Sequence, residues 1–590
     1  MYCKRTKSLF FFTIPFILSA VEDGCARART SAIERLAVMP IENLSSDAQL
    51  DWGSRAAAAV VVYDLAGAKN VFARPVSSLS DAQSMQASRL VEGYFFVRNG
   101  RIGIRATVED LARKKAVESW EIEGATAAGF LPVANKLARR LSPDARRFGT
   151  SDENAFRFYG EALTARDSKS AHQALQQAAG ADPGFAAPYV EEAKLFAGTG
   201  DREGARRVVE AGGNARLDSI DRADLKYVGA SASGNATDRI QALEALMAAT
   251  PTNANIFREL GEIRFGRREF QPAAMEYRVA AQLDPESPQI WNQLAYALAW
   301  AKDLKGAREA LAEYEKLAPG DVNVLDSQGE VSYMLGDFQS ASEYFERAAA
   351  KNPQEWLKAA EARLMLGDLK GADEFFLKHL GPKGGRNAGP EYQMAQWEFL
   401  TGRRKAGMAH MEKLAAELKG DLQSLGLSQL AIWKLETGDR KAAGDLAKQA
   451  GEAAQSPLIQ KMSAITGFIA SGGTTSSGLK LVDADALLFA RKYREALPLL
   501  QSAYAETNPS ADGDIRTLLA WAYLETGAVD KAAGLVESTP LVLSFGEPQF
   551  TPPILPRYLY VRSAVLAQQG KKDEARKSQE LYVKYAGATN

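Results

Sequence analysis

Pro251, Pro285, Pro319 and Pro353 stand 34 residues apart, and Pro183 precedes the first of them by two such periods. A fixed period constrains a chain more than any single motif. It implies a unit that cannot bury its own apolar face and must stack on copies of itself. Other positions keep the same phase: Phe257, Trp291 and Leu325; Ala273, Ala307 and Ala341; Tyr277, Leu311 and Phe345. The spacing predicts two antiparallel helices per unit. Small residues (Gly261, Ala295 and Gly329 on the first helix, the three alanines on the second) let the pair approach closely, and the aromatic and leucine positions fill the space between layers. Gly200-Asp201, Gly336-Asp337, Gly367-Asp368 and Gly438-Asp439 read as the turn inside the hairpin, a left-handed Gly ending one helix and an Asp capping the next.

The pattern resembles the tetratricopeptide repeat, W-x2-L-G-x2-Y followed by A-x3-F and P. Phe257, Leu260, Gly261, Ala273, Tyr277, Ala280 and Pro285 make one copy; Trp291, Leu294, Ala295, Ala307, Leu311 and Pro319 make the next; Gly329, Ala341, Phe345, Ala348 and Pro353 continue it. The resemblance implies a mainly α fold, an α-solenoid with a concave groove lined by the first helix of each repeat. It places nine residues in that groove: Asn255, Arg258 and Glu262, then Gln289, Asn292 and Tyr296, then Asn323, Asp326 and Glu330. They are polar and mixed in charge, as a groove for a partner peptide or protein requires. Some members clamp a C-terminal carboxylate with Lys and Asn. Here the equivalent positions mix Arg258 with Glu262, Asp326 and Glu330, so that mode is not expected.

The array is uneven. Gly336 to Gly367 is 31 residues, one shortened repeat, and residues 220–253 are degenerate, with Arg239 at an expected Ala position. Residues 381–390 and 541–556 read as long connections and 471–478 as a flexible break. The expected organisation is a first repeat block over 152–470 and a second over 479–586, ten to twelve hairpins in all.

Residues 31–150 carry a different pattern. Strands are expected at 35–40, 70–74, 90–98, 102–110 and 116–123, with a hairpin turn at Asn99-Gly100 and helices at 51–66, 80–87 and 127–141. Ser80 or Asp81 is the expected cap of the second helix. That order fits a small α/β layer with an antiparallel edge. Leu36 to Ser45, Val91-Glu92-Gly93-Tyr94, the strand pair around Asn99-Gly100, and Trp120 resemble the TolB amino-terminal-like domain also seen in FlgO-related proteins, a non-catalytic module often joined to helical repeats. No Gly-rich phosphate loop follows the first strand. Glu42, Asp47 and Asp51 read as solvated loop carboxylates.

Lys4, Arg5 and Lys7 precede an apolar run of 13 residues from Leu9 to Val21, then Ala26-Arg27-Ala28. A spanning helix needs about 20 residues, so residues 1–28 read as a secretory signal peptide. Gly24-Cys25 leaves a lipidated cysteine open, which would anchor the protein to a membrane. Lys+Arg is 72 and Asp+Glu is 73, so no electrostatic footprint for nucleic acid exists. Two Cys and three His leave little for a metal or haem site, and His172, His379 and His410, each in a different repeat, read as surface residues. The expectation is a non-enzymatic, exported scaffold or adaptor of the periplasm or cell envelope, without cofactor or metal, binding a protein or peptide in the groove. The alternative is a small-molecule sensor or an accessory subunit of a secretion or outer-membrane assembly complex, acting through the α/β domain.

Overall fold

The computed structural model describes residues 33–124, 129–381, 389–473, 476–536, 543, 545 and 549–586. The expected signal peptide, Cys3 and Cys25 lie outside them, as does most of 381–390. Strand β1 (Glu34–Val38) pairs in parallel with β3 (Val71–Pro75) on one side and β4 (Arg89–Arg98) on the other. The short β2 (Glu42–Asn43) also pairs with β4, further along it. Then β4, β5 (Arg101–Asp110) and β6 (Lys115–Glu123) run antiparallel, giving the order β3-β1-β4-β5-β6. Asn99 and Gly100 both have positive φ (52° and 72°), the backbone that a two-residue hairpin needs to match strand twist. Helices α1 (Gly53–Leu65) and α3 (Leu131–Leu141) cover one face. Helix α2 (Leu79–Ser84) is capped by Ser78, whose Oγ accepts the Asp81 N–H at 3.1 Å; the expected cap at Ser80 or Asp81 is two or three residues late.

The core of this sheet does not stop at residue 150. Val38, Val61, Phe95, Ile104 and Leu137 share one buried cluster with Phe148 of the connecting segment and with Phe156 and Phe185 of the first helical units. Trp52 bridges the two parts edge-on, 5.0 Å from Phe130 and 5.5 Å from Phe156. Thr252 Oγ1 donates to backbone carbonyls of Ala68 and Val71, and Arg35 pairs with Asp284 (3.3 Å) and Glu286 (2.7 Å). The sheet is thereby packed into the start of the solenoid.

From Glu153 onward the described residues form twelve antiparallel helix pairs and one unpaired helix, Pro457–Ser471. The three in strict phase are Ala254–Gly266 with Phe270–Leu283, Pro288–Trp300 with Leu304–Leu317, and Val322–Met334 with Phe338–Ala349. A Cβ on Gly329 would lie 2.5 Å from the Phe345 ring, and one on Gly261 2.9 Å from Tyr277, so the small residues are sterically required. Gly336, Gly367 and Gly438 sit at φ of 78–88°, and Asp337, Asp368 and Asp439 cap the following helices. The shortened repeat loses one residue before helix Glu355–Met365, which starts two residues after Pro353 instead of three, and two from the helix itself, which has 11 residues against 13 in the preceding first helices.

The second set of hairpins does not simply prolong the stack. It lies across the first. Arg557 Nη2 donates to Glu436 at 2.8 and 2.9 Å, Tyr585 Oη to the Leu364 carbonyl at 2.9 Å, and Lys584 Nζ to the Gly367 carbonyl at 2.8 Å. The largest buried cluster mixes Tyr333, Phe345, Leu364, Phe376 and Trp397 with Leu488, Leu518, Leu559 and Tyr585. Repeat arrays normally bury each unit against its neighbours alone; here part of the edge formed by the intra-hairpin turns, at Gly367 and Gly402, is covered as well.

Candidate functional site

The nine groove residues expected from sequence lie on three successive first helices. Asn255, Gln289 and Asn323 are exposed near the helix starts, and the others are half-buried. Side chains link them into a ladder along the groove. Arg258 pairs with Glu262, which also accepts from Gln293 Nε2 at 2.7 Å. Tyr296 Oη donates to Glu330 Oε2 at 2.6 Å. Glu330 and Asp326 both receive Lys358 Nζ, at 2.8 and 2.5 Å. Sequence reasoning omitted Gln293, one residue off the lining positions, and Lys358, in the shortened repeat where the phase is broken. Counted back from its own turn, Lys358 stands nine residues before Gly367 as Gln293 stands nine before Lys302, so both fall one residue off the lining positions.

Burial pushes the Asp326 carboxyl up to about 6, with Lys358 opposing. Burial opposes the charge on Lys358, but Glu330 and Asp326 beside it hold its ammonium above the usual lysine value. The Tyr296 phenol is raised well above its ordinary range by burial and then by Glu330, so it stays a hydrogen-bond donor at any ordinary pH. Among these groups two acceptors stand apart: Asn292 Oδ1 and Gln293 Oε1 are buried without a hydrogen-bond partner.

At one end the groove meets the sheet domain. Arg35, Arg74 and Gln86 face Asn255, Arg258 and Gln289 across a cavity of about 300 Å³. At the other end Leu543, Phe545 and Gln549 of the chain itself lie against the groove. Glu361 occupies the lining position equivalent to Tyr296 and Glu330, counted back from its own turn. Its Oε1 accepts the Leu543 N–H at 2.7 Å, and the Gln549 N–H donates to Gln429 Oε1 at 2.9 Å. Phe545 packs 5.0 Å from Phe376 and 5.9 Å from Trp397, which are stacked on each other at 4.2 Å. Side chains of the first helices thus already bind backbone N–H groups of a crossing segment.

Among the described residues no group of three or more His, Cys, Asp or Glu is placed to hold a metal ion. The histidines are half-buried rather than on the surface. His172 Nδ1 lies 2.8 Å from Glu192, and His410 sits between Glu391 (3.1 Å) and Glu398 (3.3 Å). His172 and His410 each pack where two helices meet, a site that spacing alone does not reveal.

The family model for the tetratricopeptide repeat matches residues 328–386 and again residues 487–543. The chain carries tetratricopeptide repeats. Such repeats generally mediate protein–protein contacts and are typically not catalytic. Similar solved structures include MamA protein (18% identity, 30% of this chain and 96% of that one, TM-score 0.26) and YrrB, described as a tetratricopeptide-repeat protein with an unusual peptide-binding site (19%, 32% and 98%, TM-score 0.29). A tetratricopeptide repeat protein from Parabacteroides merdae is also similar (13%, 48% and 98%, TM-score 0.30). No curated protein matches the chain.

Proposed function

We propose that the protein is a non-enzymatic interaction scaffold that takes a partner segment in the groove between Asn255 and Lys358. The observation that carries this reading is Asn292 Oδ1. A buried acceptor left unsatisfied costs about 1–3 kcal/mol, and here it lies between the Arg258–Glu262 pair and the Tyr296–Glu330–Lys358 ladder, where a backbone or side-chain N–H from a partner would satisfy it. Further along, Glu361 and Gln429 already accept N–H groups from Leu543 and Gln549, which supports the same mode for a ligand. Carboxylates outnumber cations in the ladder (Glu262, Asp326 and Glu330 against Arg258 and Lys358), so the favoured ligand is an extended segment with basic side chains, not an acidic tail. With Leu543, Phe545 and Gln549 against the distal groove, the free stretch spans three repeats and ends on the sheet domain, which becomes a second contact surface for the same partner.

The export signal at 1–28 supports a place in the periplasm or cell envelope, and the TolB-like pattern of 31–150 supports docking of the sheet domain there. The test is affinity capture from cross-linked envelopes with the wild-type chain and with an Arg258→Glu, Asn292→Ala bait, read by mass spectrometry. Loss of one reproducible partner from the variant, with unchanged circular dichroism, is expected. Retention of every partner by the variant would exclude the groove.

A further inference from the structure

A second cavity, of about 390 Å³, lies where the two sets of hairpins meet. Leu400, Leu481, Phe545 and Phe550 form apolar wall, and among the described residues Asp485 and Asp514 are the ionisable groups facing into it. Asp485 stands on helix Lys480–Phe489 and is 2% exposed, and its Oδ1 has no hydrogen-bond partner. Among the described residues the charge acting on it is that of Asp514, of the same sign. The nearby cations are committed elsewhere. Arg516 turns to Asp512 at 3.3 Å and over the Trp300 ring, and Lys358 is held by Asp326 and Glu330.

We propose that this cavity binds an alkylammonium ion, with Asp485 and Asp514 as its counter-ions. Two carboxyl groups in one apolar chamber cannot both ionise cheaply without a cation between them. A carboxyl kept merely to fill space would turn its polar atoms onto a neighbouring carbonyl, and Asp485 Oδ1 meets none. The chamber exceeds the roughly 30 Å³ that one water occupies many times over. Apart from Gln549 and Thr551, its remaining described wall is hydrocarbon and aromatic, which suits a cation that carries its own apolar stem and can lie against Phe545 and Phe550. A hard metal ion, wanting about six oxygen ligands, is poorly matched.

The ligand would displace protons. Burial and then Asp514 hold Asp485 well above the usual carboxyl range, and burial, opposed by Arg516, raises Asp514 to about 6. Glu361, beyond Leu543, is raised to about 8 by burial, with Lys358 opposing and Asp514 and Glu330 adding to the rise. Without a cation the chamber favours a proton on Asp485, which a bound ammonium would drive off, so binding tightens as pH rises.

The test is titration calorimetry on the full chain with n-pentylamine, with 1-pentanol as the uncharged control and a lysine-containing acetyl-tripeptide amide as the second probe. Saturable heat is expected with the amine and not with the alcohol. Its size should depend on the ionisation enthalpy of the buffer, reporting proton release, and affinity should rise about tenfold or more between about pH 6 and about pH 9. Asp485→Asn should abolish binding while melting no lower than wild type. Saturation by the peptide but not by the free amine would assign the ammonium to a partner's lysine; saturation by the free amine identifies a small-molecule ligand. The proposal is overturned by the absence of saturable heat with both probes at both pH values, or by binding that survives Asp485→Asn and Asp514→Asn alike.

Discussion

Arg268 Nη1 lies 2.6 Å from Asp512 Oδ2, an ion pair that ties the turn of one strict-phase hairpin to the distant C-terminal hairpins. Asp512 is fully buried, and Arg268 also donates from Nη2 to the Tyr504 and Thr507 carbonyls at 2.8 and 3.0 Å while stacking 3.7 Å above the Tyr504 ring. Arg268 holds φ at +63° where later turns use Gly, a conformation that costs a non-Gly residue about 1–2 kcal/mol. The anchor offsets that cost. Arg268→Ala should therefore destabilise the chain by about 3 kcal/mol, since it leaves a buried carboxylate with Arg516 as its one remaining partner. Hydrogen exchange should rise in residues 480–536 and stay unchanged in the sheet domain. Equal protection in both regions would show that the pair does not hold the two halves together.

The strict repeats were legible because their packing is local. Gly261, Ala295 and Gly329 meet ring or helix partners inside their own repeat, so a 34-residue phase exposes them directly. The fold-back was not legible, because it depends on side chains such as Arg557 and Tyr585 meeting partners with which they share no period. A signal was nevertheless present. Arg268 and Lys302 occupy the phase of Gly336, and a residue other than Gly at a left-handed position marks a turn with some other task. The nine groove positions came from the resemblance and do lie on adjacent first helices, but Lys358, which joins two of them, fell in the repeat whose length breaks the phase.

Two glycines separate packing from flexibility. Gly329→Ala places a methyl 2.5 Å from Phe345 and should lower stability by about 1–3 kcal/mol. Gly444 lies within helix Arg440–Ala453 with nothing near its missing Cβ, so Gly444→Ala should raise stability by about 0.5–1 kcal/mol through backbone entropy and helix propensity. Urea unfolding of both variants beside wild type measures the two effects. A loss at Gly444 would mean that its helix face is covered in solution.

Asp64 predicts the direction of pH dependence. It is fully buried on α1 and neither carboxylate oxygen has a partner; burial raises it to about 8, against the opposing pull of Arg146 and Arg139. The folded state therefore holds a proton that the unfolded chain releases near the ordinary carboxyl value of 3.8. Stability from this group is intact below that value, falls as pH climbs from about 4 to about 8, and is lost above it. Asp64→Asn should be close to neutral at about pH 4 and stabilising by about 1–3 kcal/mol at about pH 8. Thermal unfolding across that range should show a flatter curve for the variant, and parallel curves would contradict the assignment.

Lys358 makes the corresponding test in the groove. Its ammonium is shared by Asp326 and Glu330, with Glu355 at 3.4 Å, and Tyr296 Oη already fills one lone pair of Glu330. Removing the cation by Lys358→Met leaves two half-buried carboxylates facing each other. At about pH 5 the change should be mild, because Asp326, raised to about 6 even with Lys358 present, is then largely protonated in both proteins. At about pH 8 wild type keeps the ionised pair, whereas the variant must either hold a proton or leave charges unpaired, which should cost about 2 kcal/mol. Tyr296→Phe removes a single neutral donor and should cost about 1 kcal/mol at either pH. If the two variants act through one ladder, the double variant at about pH 8 should lose less than the sum of the single losses, because Glu330 can be left unsatisfied once only. Strict additivity would place Tyr296 and Lys358 in separate interactions and dissolve the ladder as a unit for partner recognition.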